Sequence, residues 1–354
     1  MSEIKYAPLF YLTRGDMIES IHYGSIAVVN NQNELVAWYG NPDTETFLRS
    51  SAKPFQAIPF IEAGGHEAFH LTTKEIALCC ASHSGTDEHM AVVEAIQAKC
   101  GIKESELLCG VDFPGDKETA QELVRRGEEP TQNRHNCSGK HTGMIALAKL
   151  RNLPYHLNDQ PYIDPSHPIQ SMILENFAAM CGLSPGHVHI GIDGCSAPNF
   201  AIPLRNAALG YARLCDPREL PDSKQKACQT VTSAMMTNPS MVGGPGRFIS
   251  VLMESFPGKI ICKGGAEGYQ GIGIMPGALG PDSPALGIAI KISDGGFRSR
   301  VRNSITLAVL RQLSFFVDQE NEPIQGYQIM NDVTNFRKLV VGRSYPSFKL
   351  NFKQ

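Results

Sequence analysis

The sequence predicts an α+β fold: one antiparallel sheet assembled from strands near both ends of the chain, with helices inserted between them. Three observations predict it. Runs rich in β-branched and aromatic residues occur at 21–39 and again at 259–292. The segments between them carry the apolar spacing of helices, opened by caps or stopped by glycine. No repeat, linker or low-complexity stretch divides the chain. The sheet part is assigned to about 15–50 and 256–354, and the helical part to about 54–255, of a single domain spanning 1–354.

Taken in order, Ile21 to Val29 and Leu35 to Tyr39 predict a hairpin turning at Asn30-Asn31-Gln32-Asn33. Phe55 to Ala63 predicts a helix stopped by Gly64-Gly65. Thr72 with Glu75 makes a capping box for a helix running through Cys80. Helices follow from about Glu88 to Lys99, Lys117 to Arg126, Gly139 to Arg151 and Ile169 to Cys181. His187 to Ile192 reads as a short strand, and helices return near 203–213, 223–236 and 247–255. Strands at Lys259 to Lys263, Gln270 to Ile274 and Leu286 to Ile292 lead into a helix from Arg298 to Phe315.

At 354 residues the chain is long enough for a large core, and 42% hydrophobic with 19% charged content describes an ordinary globular protein. A net charge of −3 supplies no basic footprint for nucleic acid. No apolar run is long enough to span a bilayer, and Met1-Ser2-Glu3-Ile4-Lys5 lacks a signal-peptide layout. The ten cysteines contain no Cys-x-x-Cys pair, as expected of buried thiols in a reducing compartment. The expected location is cytoplasmic, with no membrane partner.

Polar and small residues concentrate in five segments where the periodic pattern breaks: 49–56, 82–85, 135–141, 193–198 and 263–268. In the first, Ser50 and Lys53 have the spacing that lets a lysine act as base for a serine nucleophile. The pattern alone is weak, because Ser2 with Lys5 and Ser223 with Lys226 match it too. Pro54 disfavours helical torsions at Lys53, so the turn carrying the pair is the first of its helix or distorted. Ser51 is the rival nucleophile.

Ser82-His83-Ser84-Gly85 is either a polar helix stop or a second hydroxyl that relays a proton. Cys137, at the predicted start of a helix, is open to three readings: nucleophile, metal ligand or buried thiol. Asp193 closes a strand where a carboxylate can grip an amine. Lys263 to Gly268 is a glycine turn between two charges, or a second lysine beside an oxyanion donor. Two lone cysteines, Cys137 and Cys195, do not by themselves indicate zinc.

Together these segments resemble the rhizobial-type L-asparaginases, the asparaginase II protein family. The resemblance is carried by His-Asn-Cys-Ser-Gly-Lys-His at 135–141, Arg-Ser-Ser-Ala-Lys-Pro-Phe-Gln at 49–56, Asp-Gly-Cys at 193–195, Ala-Ser-His-Ser-Gly at 81–85 and Lys-Gly-Gly-Ala-Glu-Gly at 263–268. It implies a fold similar to serine β-lactamases and glutaminases, a homodimer, and hydrolysis of L-asparagine to L-aspartate and ammonia. It also implies two Ser-Lys tandems, Ser50 with Lys53 and Ser82 with Lys263. A zinc ion held by Cys137, Lys140 and Cys195 is implied beside them, with Asp193, Arg49 and His141 completing the pocket.

An amino-acid substrate needs a carboxylate for its ammonium and a cation for its carboxylate. Asp193 or Glu267, and Arg49, are the candidates on charge. The reading is therefore a zinc-containing asparaginase with a Ser-Lys acyl-enzyme mechanism. A glutaminase or β-lactamase-like hydrolase on the same scaffold is the alternative within enzymes. A catalytically silent amino-acid-binding protein is the alternative outside them, and it has no need of paired bases.

Overall fold

The computed structural model describes residues 6–155, 160–296, 299–316 and 322–353. Ser2 with Lys5, and Arg298 at the start of the last expected helix, lie outside the described residues. In chain order the structure forms strands β1 (Ala7–Arg14), β2 (Met17–Asn30), β3 (Leu35–Tyr39) and β4 (Glu45–Phe47). Helices α1 (Lys53–Glu62), α2 (Gly65–Ala68), α3 (Thr73–Cys79), α4 (Asp87–Cys100), α5 (Lys117–Arg126), α6 (Ser138–Leu150) and α7 (Pro168–Met180) come next. Strands β5 (His189–Ile192) and β6 (Pro198–Pro203) precede helices α8 (Leu204–Cys215), α9 (Asp222–Thr237), α10 (Pro239–Gly243) and α11 (Phe248–Ser255). Strands β7 (Ile260–Gly264), β8 (Tyr269–Ile274) and β9 (Leu286–Ile292), helix α12 (Ser299–Gln312) and strands β10 (Asn331–Thr334), β11 (Val340–Pro346) and β12 (Asn351–Phe352) follow. The chain divides into two compact units, Met1–Ser51 with Ile202–Asp216 and Gly264–Gln354, and Ala52–Ala201 with Pro217–Lys263.

The first unit is organised on β2. Its early residues pair with β1 and its later ones, Ile26 to Val29, with β3, so two short strands share one edge. The opposite edge pairs with β9 from Gly24↔Ile292 to Asn30↔Leu286, and β9 pairs with β8. The order β10-β11-β1-β2-β9-β8, with β12 on β3, is antiparallel at each described pairing. Every residue of β8 and β9 is buried, as is β2 from Gly24 onward. Strands buried on both faces need cover on both faces. Helix α8 packs on β2, β8 and β9, and α12 packs on β1, β8 and β11.

By sequence the helix at 203–213 falls in the helical insertion, but α8 belongs to the sheet unit. The physical reason is close approach. A Cβ at Gly287 would run into the Ala208 carbonyl oxygen, and one at Gly271 would meet the Tyr211 ring. The sheet also begins earlier than expected, because β1 was not predicted: Pro8 and an uneven burial pattern hide it.

The second unit is built on α1, which packs on α3, α6, α7 and α9. Of its ten residues, Lys53 to Ile58, Phe60 and Ile61 are all buried, so the helix is an axle and not a surface element. The chain enters it through a one-turn 3-10 helix, Arg49–Ala52, with Pro54 in the first turn. That is the distorted first turn Pro54 predicts. Thr72 and Glu75 form the expected capping box, and Gly101 and Gly127 end α4 and α5 in the left-handed region. The strand expected from His187 starts at His189, since Pro185–His187 forms a 3-10 turn. Among the described residues no helix is long and apolar enough to cross a membrane.

Gly287→Ala tests the close approach. The new methyl has backbone on its far side and nothing flexible to displace, so the variant should lose about 3 kcal/mol or more in denaturant unfolding. Stability equal to the parent would show that α8 does not need this contact.

Candidate active site

The second unit gathers eight of the predicted residues: Lys53, Ser82, Cys137, Lys140, His141, Asp193, Cys195 and Lys263. Lys53 opens α1 and is buried. A buried amine requires hydrogen-bond partners, and Lys53 Nζ has them in two loops. It donates to the Ala81 carbonyl at 2.7 Å and Ser82 Oγ at 2.9 Å on one side. On the other it reaches Cys137 Sγ at 3.1 Å and the Asn136 carbonyl at 3.4 Å.

Lys263, buried on β7, donates to the same Ser82 Oγ at 2.7 Å. The family resemblance pairs Ser82 with Lys263 alone; the structure sets it between both lysines. A hydroxyl oxygen has two lone pairs and one proton. Both lone pairs are met by amines, so when either amine is neutral it can take the Ser82 proton. The group can therefore pass a proton from one lysine to the other.

Cys137 caps the start of α6, and its amide donates to His135 Nδ1 at 3.0 Å. Its thiol is held well below the ordinary range, first by a hydrogen bond with Cys195, then, against the cost of burial, by the Lys53 and Lys140 charges. Lys140 Nζ donates to Cys195 Sγ at 2.9 Å. Burial pulls Lys140 down, but the Cys195 and Cys137 sulfurs outweigh it and the ammonium is favoured. Cys109 shows the contrast: burial, then the neighbouring Cys137 and Cys195 sulfurs, push its thiol up to about 12.

His141, expected in the substrate pocket, is fully buried beside the sulfur pair. Burial and then the Lys140 charge bring it down to about 4. The Tyr162 hydroxyl accepts the Leu108 N–H at 2.7 Å and shares a 2.7 Å hydrogen bond with His141 Nδ1. Among the described residues no nitrogen or oxygen bonds His141 Nε2, and Cys195 is its neighbour. Tyr162 was not singled out in the sequence, where an isolated tyrosine carries no signal. Asp193 starts a tight turn whose Ser196 is left-handed at φ 69°. Its charge reaches Lys140.

The donor set Cys137, Lys140 and Cys195 converges, and cysteine sulfurs are ordinary zinc ligands, with the lysine amine an unusual third. As it stands, Lys140 is an ammonium bonded to sulfur, so a metal would have to displace that proton. Among the described residues no group of three or more His, Cys, Asp or Glu side chains could hold a metal. The fit is thus to a lysine-containing site or to none.

In the first unit, Arg49 and Glu267 are both left-handed, at φ 52° and 54°, and their charged groups are 4.0 Å apart. Such strain in residues other than glycine or asparagine is concentrated at binding sites. Lys291 donates to the Glu267 carbonyl, and Arg302 Nη1 donates to the Gly265 carbonyl at 2.8 Å, bracing the turn. Ser51, the rival nucleophile, is completely buried, and its carbonyl accepts the Tyr211 hydroxyl at 2.7 Å. Ser50 is only half-buried, which favours it over Ser51.

The sequence pattern of the L-asparaginase II family matches residues 10–346. No curated protein sequence matches the chain. Among solved structures, a beta-lactamase from Sphaerobacter thermophilus aligns at TM-score 0.43 and 13% identity, covering 84% of this chain and 93% of its own. The protein Mglu aligns at 0.41 and 12%, covering 84% of this chain, which spans 62% of its length. A probable glutaminase from Bacillus subtilis aligns at 0.35 and 12%, covering 83% and 85%. These likenesses are too distant to carry an argument about chemistry.

The depressed Cys137 thiol is directly measurable. On acidification the metal-free protein should keep thiolate ultraviolet absorbance to a pH lower than that at which an ordinary thiol loses it. Cys137→Ser should abolish it and Cys109→Ser should not. Because the folded value lies below the unfolded one, this thiolate stabilises the fold at high pH, and the contribution is lost as pH falls through the folded value. An ordinary thiol titration in the metal-free protein would contradict the assignment.

Proposed function

The chain belongs to the L-asparaginase II family of amide hydrolases, and on that premise we propose that it hydrolyses L-asparagine to L-aspartate and ammonia. The observation that carries the reading is Ser82 Oγ hydrogen-bonded to both Lys53 and Lys263. A protein that only binds an amino acid has no use for a hydroxyl poised between two amines. An acyl-enzyme route does, since the nucleophile must lose a proton and the leaving ammonia must gain one.

In this reading Ser50, three residues before Lys53 on the 3-10 turn, attacks the side-chain amide carbon. Lys53 takes its proton. Ser82 and Lys263 carry a proton to the departing nitrogen, and water then releases the aspartyl group by the reverse sequence. Arg49 meets the substrate carboxylate, and Glu267 or Asp193 meets its ammonium. Zinc, held by Cys137, Lys140 and Cys195, would supply fixed positive charge that orients the two loops beside Lys53. A homodimer in the cytoplasm is part of the same proposal.

The fold leaves glutamine or a β-lactam open as substrates, so the test is a comparison. Ammonia release from L-asparagine should exceed that from L-glutamine, and β-lactam opening should be absent; turnover of none would leave an amino-acid-binding protein. Ser50→Ala should lower kcat at least about a thousandfold with zinc retained, and a diazoketone analogue of asparagine should label Ser50 in the parent. Labelling of Ser82 instead would move the nucleophile. Elemental analysis should find about one zinc per chain, lost in Cys137→Ala.

A further inference from the structure

His83 follows Ser82 directly and is buried, yet the mechanism above gives it nothing to do. Its hydrogen bonds have one consistent direction. The Gly85 N–H donates to Nδ1 at 3.1 Å, so the ring proton is on Nε2. That N–H donates to Ser138 Oγ at 2.8 Å, and Ser138 in turn donates to the Asn133 carbonyl at 2.9 Å. Burial, followed by the charges around it, keeps the ring neutral. The ring plane is fixed as well, stacked on His89 with centroids 5.0 Å apart and planes 18° from parallel. His89 is held in turn by Thr86 and by the Ser240 carbonyl at 3.0 Å.

The far end of this chain is equally fixed. Asn133 exchanges two hydrogen bonds with Gln97 of α4, at 2.7 and 3.1 Å, and its amide donates to Glu104 at 2.7 Å. The His83–Ser138 bond therefore ties the 81–85 loop to an anchored 133–138 loop. These are the two loops from which Lys53 draws its acceptors: Ala81 and Ser82 on one side, Asn136 and Cys137 on the other.

We propose that His83 is a positioning residue, whose bond to Ser138 holds the two loops in register so that Ser82 Oγ stays between Lys53 and Lys263. This rests on the relay role assigned to Ser82 above. Outer hydrogen-bond partners of this kind commonly contribute about ten- to hundredfold in activity.

Asparagine supplies a near-isosteric acceptor for the Gly85 N–H but cannot reach Ser138, whereas glutamine places a donor near the Nε2 position. His83→Asn and Ser138→Ala, assayed as zinc-loaded protein, should each lower kcat about ten- to hundredfold with KM changed little. The double variant should lose no more than either alone, because both remove one bond. His83→Gln should keep kcat within a few-fold. A loss confined to KM, losses that multiply, or unchanged kcat in His83→Asn would overturn the proposal. If His83→Asn does not fold, Ser138→Ala removes the same bond from the other side. A crystal structure of either variant gives a readout that needs no turnover: Ser82 Oγ should leave hydrogen-bond distance of at least one lysine. If both bonds persist there, the positioning role fails; if the parent turns over no amide, the functional reading fails instead.

Discussion

The constraint on which the second unit depends is the burial of Lys53. An amine removed from water is strongly destabilising unless it is hydrogen-bonded. Lys53 begins a helix whose remaining residues are almost all apolar and buried, so its own element offers it nothing. Its acceptors come from residues 28, 29, 83 and 84 positions further along the chain. Folding of the core and assembly of the site are thus one event. The loop after α3 and the loop before α6 have to meet at that nitrogen or a buried amine is left without partners.

The same arrangement sorts the surrounding groups by charge. Two amines and two thiols stand in contact, and the Cys137 thiol is pulled down as a result. Around them, His83 and His141 are pushed to the neutral form, first by burial and then by neighbouring charges that include Lys53. Lys140 and Cys137 carry the charge, and the imidazoles act as oriented dipoles. Neither histidine is then suited to general-base work, which leaves amines and hydroxyls to move protons.

Legibility in the sequence followed the range of the interaction. The hairpin β2–β3, the capping box at Thr72 and the glycine stops at Gly101 and Gly127 are set by neighbours in the chain and were readable. β1 was hidden by Pro8 and by a strand that is only partly buried. The grouping of α8 with the sheet depends on missing side chains at Gly271 and Gly287, which a periodicity cannot show. At the site, Ser-x-x-Lys could not separate Ser50 from Ser223, whose hydroxyl simply bonds Glu62 at 2.9 Å on the surface. The join between Ser82 and Lys263 spans 181 residues, and only the assembled motifs hinted at it. The Tyr162–His141 bond and the His83–Ser138 tie had no local signal at all.

The central claim is that Ser82 conducts protons between the two lysines. The most direct measurement is the single-turnover rate of ammonia release from asparagine in Ser82→Ala, with both lysines and Ser50 intact. Loss of a positioned acid–base group should slow that step at least about a hundredfold while substrate binding is kept. A rate equal to the parent's would show that neither lysine works through Ser82, and the account would fail at its centre.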